Sequence, residues 1–486
     1  MAESIAFDQF IYHWLSTIEN SSPTEPSPSR RLISKDGAIE PIPYKPRAKR
    51  PISPPMTDDN GSPSKRSRQE LDNDRTPRGP FAHRPPDAES VSSSGLSDAN
   101  SELRYKRSRT ARSGNSSPTK KGISAMRIDG LITHLSFEGS EEVPDLLNNM
   151  WRNIGGDSVG LGIITPEDKV EFETRARAGG KYKQLFTKAL NPIPMFVNPV
   201  DSSGTRKGLG RLPPLDALLE ILEKAERCQE DTHSEAGWNC AVHYPLMELA
   251  LKYANINSHF CANNVCQQDT ANDIANDTAD PEILIDVVNA TTAQISPLYA
   301  LNSQAIQHRK RVDFCLVIKP IKKTTTAHYI SGLAQTSSTG SINHTEFTPL
   351  RPCPISVSIE TKLTGEEWQT AMEQQTVWLA AHWNRLDSLI ENSKAARDEL
   401  CFLPAIIVQG HDWTFLAATK GEIMNQRGDR ETLIWNKVTF GSTTGLKGIC
   451  QIIKVLQRLA VWSEKTYWPW FKRHAMKNFQ EKQNQV

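Results

Sequence analysis

Between about Ser21 and Lys121 the sequence turns to Ser, Pro, Asp, Asn, Arg and Lys, with few aliphatic side chains. Such a stretch cannot bury enough apolar surface to offset the entropy of ordering it. Residues 21–122 are therefore expected to form a disordered linker, and any packed core must be built from the residues beyond it. A chain of 486 residues still leaves room for a sizeable core without disulfide staples, on a length that fits two or three domains. Ahead of the break, Phe7, Phe10, Ile11, Trp14, Leu15 and Ile18 recur at three- and four-residue spacing. That spacing predicts an amphipathic helix within residues 1–20, which either docks on the folded part or enters a partner's groove.

The formal net charge is only +1, so the whole molecule does not advertise a polyanion partner. The charge is unevenly placed. Basic clusters stand at Lys45-Pro-Arg-Ala-Lys-Arg50, Lys65-Arg-Ser-Arg68, Lys106-Arg-Ser-Arg109 and Lys120-Lys121. Lys49-Arg50 and Lys65-Arg66 are spaced like a two-part nuclear import signal, which predicts a nuclear protein that engages the import machinery. Serines before proline at Ser27, Ser53, Ser62 and Ser117 are candidate phosphate acceptors. The same tail is suited to nonspecific, salt-sensitive contact with nucleic acid. Apolar runs such as Leu403–Val408 are too short to span a bilayer, so no membrane partner is expected and the protein should be soluble and intracellular. Eight scattered cysteines fit reduced thiols. His259, Cys261 and Cys266 lie close together, but no matching ligand pair comes after them, so zinc is not predicted.

Order resumes near Ile123. Residues 123–230 read as a helical lead-in, with apolar positions Leu146, Leu147, Met150, Trp151, Val170, Phe172, Tyr182 and Leu185 and a clear amphipathic helix from Pro214 to Cys228. Strands are expected at Ile283–Val288, Val312–Ile318 and Ile355–Lys362, and a polar, Thr- and Ser-rich stretch from Lys322 to Ser341 as a long insertion loop. A helix from Glu366 to about Ile390 comes next, then a hairpin of Phe402–Val408 and Trp413–Ala418 turned by Gln409-Gly410-His411-Asp412. A last helix covers about Leu446 to Trp462, and Tyr467, Trp468, Trp470 and Phe471 seal an end of the core. The folded domain is placed at 231–475 and a short tail at 476–486.

The chemistry concentrates on two of these strands. Alternation puts Ile355, Val357 and Ile359 on one face, and Ser356, Ser358, Glu360 and Lys362 on the other. Asp313 stands alone as an acid in its apolar run. Two carboxylates forced together raise each other's pKa unless a hard divalent cation takes their oxygens. Asp313 and Glu360 could supply such a site with the Thr361 carbonyl as third ligand, while Lys362 orients or deprotonates an attacking water. An ordinary cross-strand salt bridge is the plain alternative.

The stretch from about Glu235 to Trp470 resembles the fungal PD-(D/E)XK nuclease-like proteins, a branch of the restriction-endonuclease-like fold. The resemblance rests on Glu235-Ala-Gly-Trp-Asn-Cys-Ala-Val-His243, Arg311-Val-Asp313, Ile342-Asn-His-Thr345, Ser358-Ile-Glu-Thr-Lys362, Ala371-Met-Glu-Gln374 with Trp378, and Gly410-His-Asp-Trp413. Val312 replaces the proline of the name, which is not a ligand. The resemblance implies an α/β core, a mixed sheet flanked by helices, and Mg²⁺- or Mn²⁺-dependent hydrolysis of nucleic acid, DNA rather than RNA. It further implies that Glu235 is an acid contributed by the first helix and that Gln374 faces the site to touch a phosphate or base edge.

Two of these residues also have purely structural readings. Thr232-His-Ser-Glu235 reads as a capping box in which Glu235 reaches back to the helix start, and Gln374 as a helix-surface amide. Pro245 is expected to kink or end the first helix, which disfavours Glu248 as the helix acid. His243 is expected to be a core or capping histidine. A catalytically silent nucleic-acid-binding or scaffold protein keeping the fold is the rival to a nuclease, since a fold does not guarantee chemistry. Oligomeric state is not legible.

Overall fold

The hydrophobic runs pair into one seven-stranded mixed sheet in the computed structural model, which describes residues 131–138, 143–181, 183–191, 198–256, 281–301, 311–365, 368–424 and 430–477. The amphipathic helix of residues 1–20, the basic linker, the import signal and the His259–Cys266 cluster lie outside the described residues. In chain order the elements are β1 (Ile132–Ser136), α1 (Asp145–Val159), α2 (Pro166–Ala178), α3 (Lys183–Leu190), α4 (Thr205–Leu209), α5 (Leu215–Glu230), α6 (Glu235–Trp238) and α7 (Tyr244–Lys252), then β2 (Ile283–Asn289) and β3 (Phe314–Pro320). They continue with α8 (Thr325–Thr336), β4 (Ile355–Lys362), α9 (Trp368–Leu389), α10 (Lys394–Leu400), β5 (Leu403–Gln409), β6 (Asp412–Met424), β7 (Arg430–Ser442) and α11 (Leu446–Trp462). The strand order across the sheet is β1-β7-β6-β5-β4-β3-β2.

β4 and β5 run parallel, as do β1 and β7, and every other neighbouring pair is antiparallel. A parallel pair needs a crossover, and α9 with α10 supplies it between β4 and β5. β4 lies in the middle of the sheet, and both of its alternating sets are buried. The polar set is therefore packed within the fold. Ser356 Oγ donates to the Leu316 carbonyl at 3.2 Å and accepts from Ser463 Oγ at 2.8 Å.

Several expectations change. The Thr- and Ser-rich stretch after Lys322 is not a loop: it forms α8, capped by the Thr324 side chain, which accepts from Ala327 N. Ile330, Leu333 and Ala334 bury one stripe of it, and that spacing outweighs the weak helix propensity of threonine. β1 and β7 have no counterpart among the strands expected from sequence. β1 comes from the stretch read as a helical lead-in, and Phe137 stacks on Trp151 and Trp435 to hold that edge. Leu146 and Val170 are exposed rather than core, while Leu147, Met150 and Phe172 are buried as their spacing suggests. Strand β3 starts at Phe314, one residue after Asp313 and two later than its apolar run predicts.

Pro245 does not end its helix. The chain stays helical from Glu235 to Lys252 through a π turn at Asn239–His243, placed just ahead of the proline. The same device recurs at Ser463–Tyr467, ahead of Pro469. A π turn inserts one extra residue and loosens the local hydrogen-bond ladder, where a residue without an N–H fits. At the other end of the sheet, Gly448 permits the close approach of β7 and α11: a Cβ there would lie 2.0 Å from the Ser442 carbonyl oxygen.

Candidate active site

The register of β3 and β4 brings the site together. Phe314 pairs with Ile359, so Asp313 falls opposite Glu360, and the Asp313 N–H donates to the Ile359 carbonyl at 3.0 Å. The Asp313 carboxylate is fastened to the next residue of β4: Oδ2 accepts from Thr361 N at 2.9 Å and from Thr361 Oγ1 at 2.7 Å. Thr361 thus orients one acid with its amide and hydroxyl, and its carbonyl faces the Lys362 ammonium at 2.7 Å.

Lys362 Nζ also donates to Glu360 Oε1 at 2.6 Å and stands 3.5 Å from Glu235 Oε2. Glu235 reaches this position because Ser234, not Thr232, caps the helix, its side chain accepting from Gly237 N. The expected capping box is absent, and the Glu235 carboxylate turns to the lysine instead. Glu248 is exposed on the same helical run. Gln374, on α9, is half-buried and donates to the Arg311 carbonyl at 3.3 Å, two residues before Asp313.

Glu360 is 1% exposed, and its Oε2 has no hydrogen-bond partner. Burial, then the neighbouring Asp313 and Glu235, push its pKa well above the usual carboxylate range against the pull of Lys362. Burial lowers the Lys362 pKa, but Glu360, Glu235 and Asp313 together hold it above its ordinary value. Lysine's hold on Glu360 is thus too weak to offset burial, whereas the ammonium, with three oxygens around it, stays charged.

This donor set suits a hard divalent ion. Two carboxylates, that of Glu360 with an unpartnered buried oxygen, and one backbone carbonyl are the oxygen ligands Mg²⁺ or Mn²⁺ accepts while keeping several waters. Among the described residues, no group of three or more His, Cys, Asp and Glu side chains is arranged to hold a metal, so an ion bound here would draw on the carbonyl and water as well.

Sequence reasoning missed Asn239. Glu235, Asn239 and His243 recur every four residues, a spacing that signals one helix face. Asn239 Nδ2 donates to Thr361 Oγ1 at 2.9 Å, and its Oδ1 meets His243 Nδ1 at 2.8 Å. His243 Nε2 meets the Gly410 carbonyl at 2.8 Å in the β5–β6 turn, which the sequence places correctly at Gly410-His411. Gly410 needs its φ of +54°, and a Cβ there would lie 2.0 Å from Thr364 Oγ1.

A family model described as the PD-(D/E)XK nuclease superfamily matches residues 187–468, more than half of the 486. The chain belongs to the PD-(D/E)XK nuclease superfamily. No curated protein and no solved structure matches it significantly. Asp313, Glu360, Lys362, Glu235 and Gln374 all lie within the matched residues, as do the π turn that carries Asn239 and His243 and the hairpin that carries Gly410. β1, α1 and α2 lie before them, so this PD-(D/E)XK chain builds part of its sheet outside the family match. Nucleases of this superfamily usually use divalent metals.

Proposed function

We propose that this chain hydrolyses phosphodiester bonds of DNA, with Asp313, Glu360 and the Thr361 carbonyl holding Mg²⁺ or Mn²⁺. The observation that carries this reading is Glu360: a fully buried acid with one oxygen unpartnered, set opposite Asp313 and beside a lysine. Apolar packing would not retain such an oxygen, because an unsatisfied buried polar group costs about 1–3 kcal/mol. When bound, a divalent ion supplies Lewis-acid polarisation of a phosphoryl oxygen and lowers the pKa of a coordinated water. Lys362 orients that water and offsets negative charge growing on the phosphate, and Glu235 in turn aims the ammonium. Gln374, which donates to the Arg311 carbonyl, would touch a phosphate or base edge.

Purified protein should nick or degrade duplex, single-stranded or branched DNA with Mg²⁺ or Mn²⁺, and stop on chelation. Lys362→Ala should slow cleavage by roughly 10²–10³-fold with DNA binding nearly unchanged, since lysine acts on the transition state. Glu360→Ala should remove both metal binding and cleavage. Cleavage undiminished in Lys362→Ala and Asp313→Ala would expose a contaminating nuclease and end this reading.

A silent binder that keeps the fold is favoured by a different observation: the Lys362 ammonium already occupies both the Thr361 carbonyl and Glu360 Oε1. Absence of divalent-dependent cleavage on every substrate, with affinity lost as salt rises, would select it. DNA rather than RNA comes from the family resemblance, and nuclear location is read from Lys49-Arg50 and Lys65-Arg66. Alanine at those four positions should move a fluorescent fusion from nucleus to cytoplasm.

A further inference from the structure

Arg311 stands two residues ahead of Asp313, at most about 7 Å along the chain, and is exposed, while Val312 between them is fully buried. This segment is fixed at three points. Gln374 Nε2 donates to the Arg311 carbonyl at 3.3 Å, Arg311 Nη1 donates to the Thr291 carbonyl at 3.0 Å, and the Ala290 N–H donates to the Asp313 carbonyl at 2.7 Å. Ala290 and Thr291 belong to the turn that follows β2, which is closed by its own bonds. Ala293 N donates to the Ala290 carbonyl at 2.8 Å, and Asn289 Oδ1 accepts from Thr291 N at 3.2 Å and from Thr291 Oγ1 at 2.8 Å. One turn therefore holds both the guanidinium and the backbone of the metal-binding acid.

An arginine so near a cluster of acids would ordinarily pair with one of them. Arg311 does not. Thr361 engages Asp313, Lys362 engages Glu360 and Glu235, and among the described residues Arg311 forms no ion pair. A guanidinium carries five N–H donors in a planar fork, and only one of them meets Thr291. Four donors are left for a partner from outside. The fork matches two oxygens of one phosphate, and because the side chain is already held, little freedom is lost when it binds.

We infer that Arg311 anchors the substrate by gripping a backbone phosphate next to the one that is cleaved, and that the turn after β2 sets its offset from Asp313. The inference rests on reading the site as one that hydrolyses DNA, and deepens that reading by naming a group that fixes the strand in register. A phosphate contact carries no base information, so the grip is the same on any sequence. The plain alternative is that Arg311 only ties the turn to the start of β3, for which its single bond to Thr291 suffices.

The test titrates full-length wild type, Arg311→Gln and Arg311→Lys with fluorescent duplexes of two unrelated sequences in chelator, over a range of salt. The basic linker contributes equally to all three proteins, so differences between them report position 311. Arg311→Gln should bind both duplexes roughly tenfold more weakly, and the slope of log affinity against log salt should shrink by about 0.9, the share of one phosphate. Arg311→Lys should keep the slope and recover part of the affinity. In wild type, modification of Arg311 by phenylglyoxal, mapped by mass spectrometry, should be suppressed by duplex DNA. Wild-type affinity and slope in Arg311→Gln overturn the inference, as does undiminished modification of Arg311 in the complex. A lowered melting temperature with a wild-type slope assigns the arginine to the turn alone and overturns it too. Should Arg311→Gln fail to fold, the modification of wild type decides. If the inference fails while divalent-dependent cleavage persists, the hydrolysis reading stands without it. A reduced slope in a protein that never cleaves keeps the phosphate contact and removes hydrolysis, whereas wild type that binds no DNA removes both.

Discussion

Glu360 sets the pH behaviour of the metal-free protein. An unfolded glutamate releases its proton near pH 4.3, whereas folded Glu360 holds it to well above that value. Between those two points the folded state binds more protons than the unfolded one, so stability is greatest below the window and falls as pH rises through it. Urea unfolding at pH 5 and pH 8 should therefore show wild type losing more stability than Glu360→Gln. At pH 8 the variant should exceed wild type by something on the order of 1–4 kcal/mol, the range seen when buried charge is replaced by neutral packing. Equal losses would mean that Glu360 titrates normally. Divalent affinity should move the other way with pH, because only the ionised acid is a ligand.

Among the elements, the helix through Asn239–His243 sets which side chains reach the sheet. Deleting Ala241 should return the π turn to α-helical spacing and rotate Glu235 and Asn239 by about 100° relative to α7. Helix content by circular dichroism should hold, while Mn²⁺ affinity falls. Retained affinity would show that the turn does not place Asn239. On the hairpin, Gly410→Ala should cost about 1–3 kcal/mol in thermal or urea unfolding, from its left-handed φ and the contact with Thr364. The elements legible in sequence are those whose apolar spacing is regular and strong: α11 falls on its expected span, and β2, β4 and α9 within a residue or two. β7 was hidden because Arg430–Ser442 interleaves charge and glycine, and α8 because threonine masked its buried stripe. At the site, Asp313, Glu360 and Lys362 could be read because an acid in an apolar run is costly. Asn239 could not, because an amide in a helix carries no such penalty and its partner Thr361 lies 122 positions away.

On the scale of the whole molecule, the stretch ahead of the family match is built into the core. Asp157 on α1 is buried and binds Lys454 at 2.8 Å and Arg458 at 2.9 Å on α11. Asp157→Ala would leave both cations without their partner and should cost about 3–5 kcal/mol in unfolding free energy. A fragment beginning at residue 187, where the family match starts, should be poorly soluble beside one beginning at residue 131, because it bares the edge of β7 and one side of Trp435. Size-exclusion profiles of the two would decide it. The pairing of β1 with β7 also fixes an order in time. The Thr133 hydroxyl meets the Glu431 carboxylate across 298 positions of sequence. During synthesis, the first strand must wait, unpaired, until nearly the whole domain has left the ribosome, and contacts so distant close slowly. The interval in which Ile132–Ser136 has no neighbour is when this protein is most exposed to chaperones, proteases and its own aggregation.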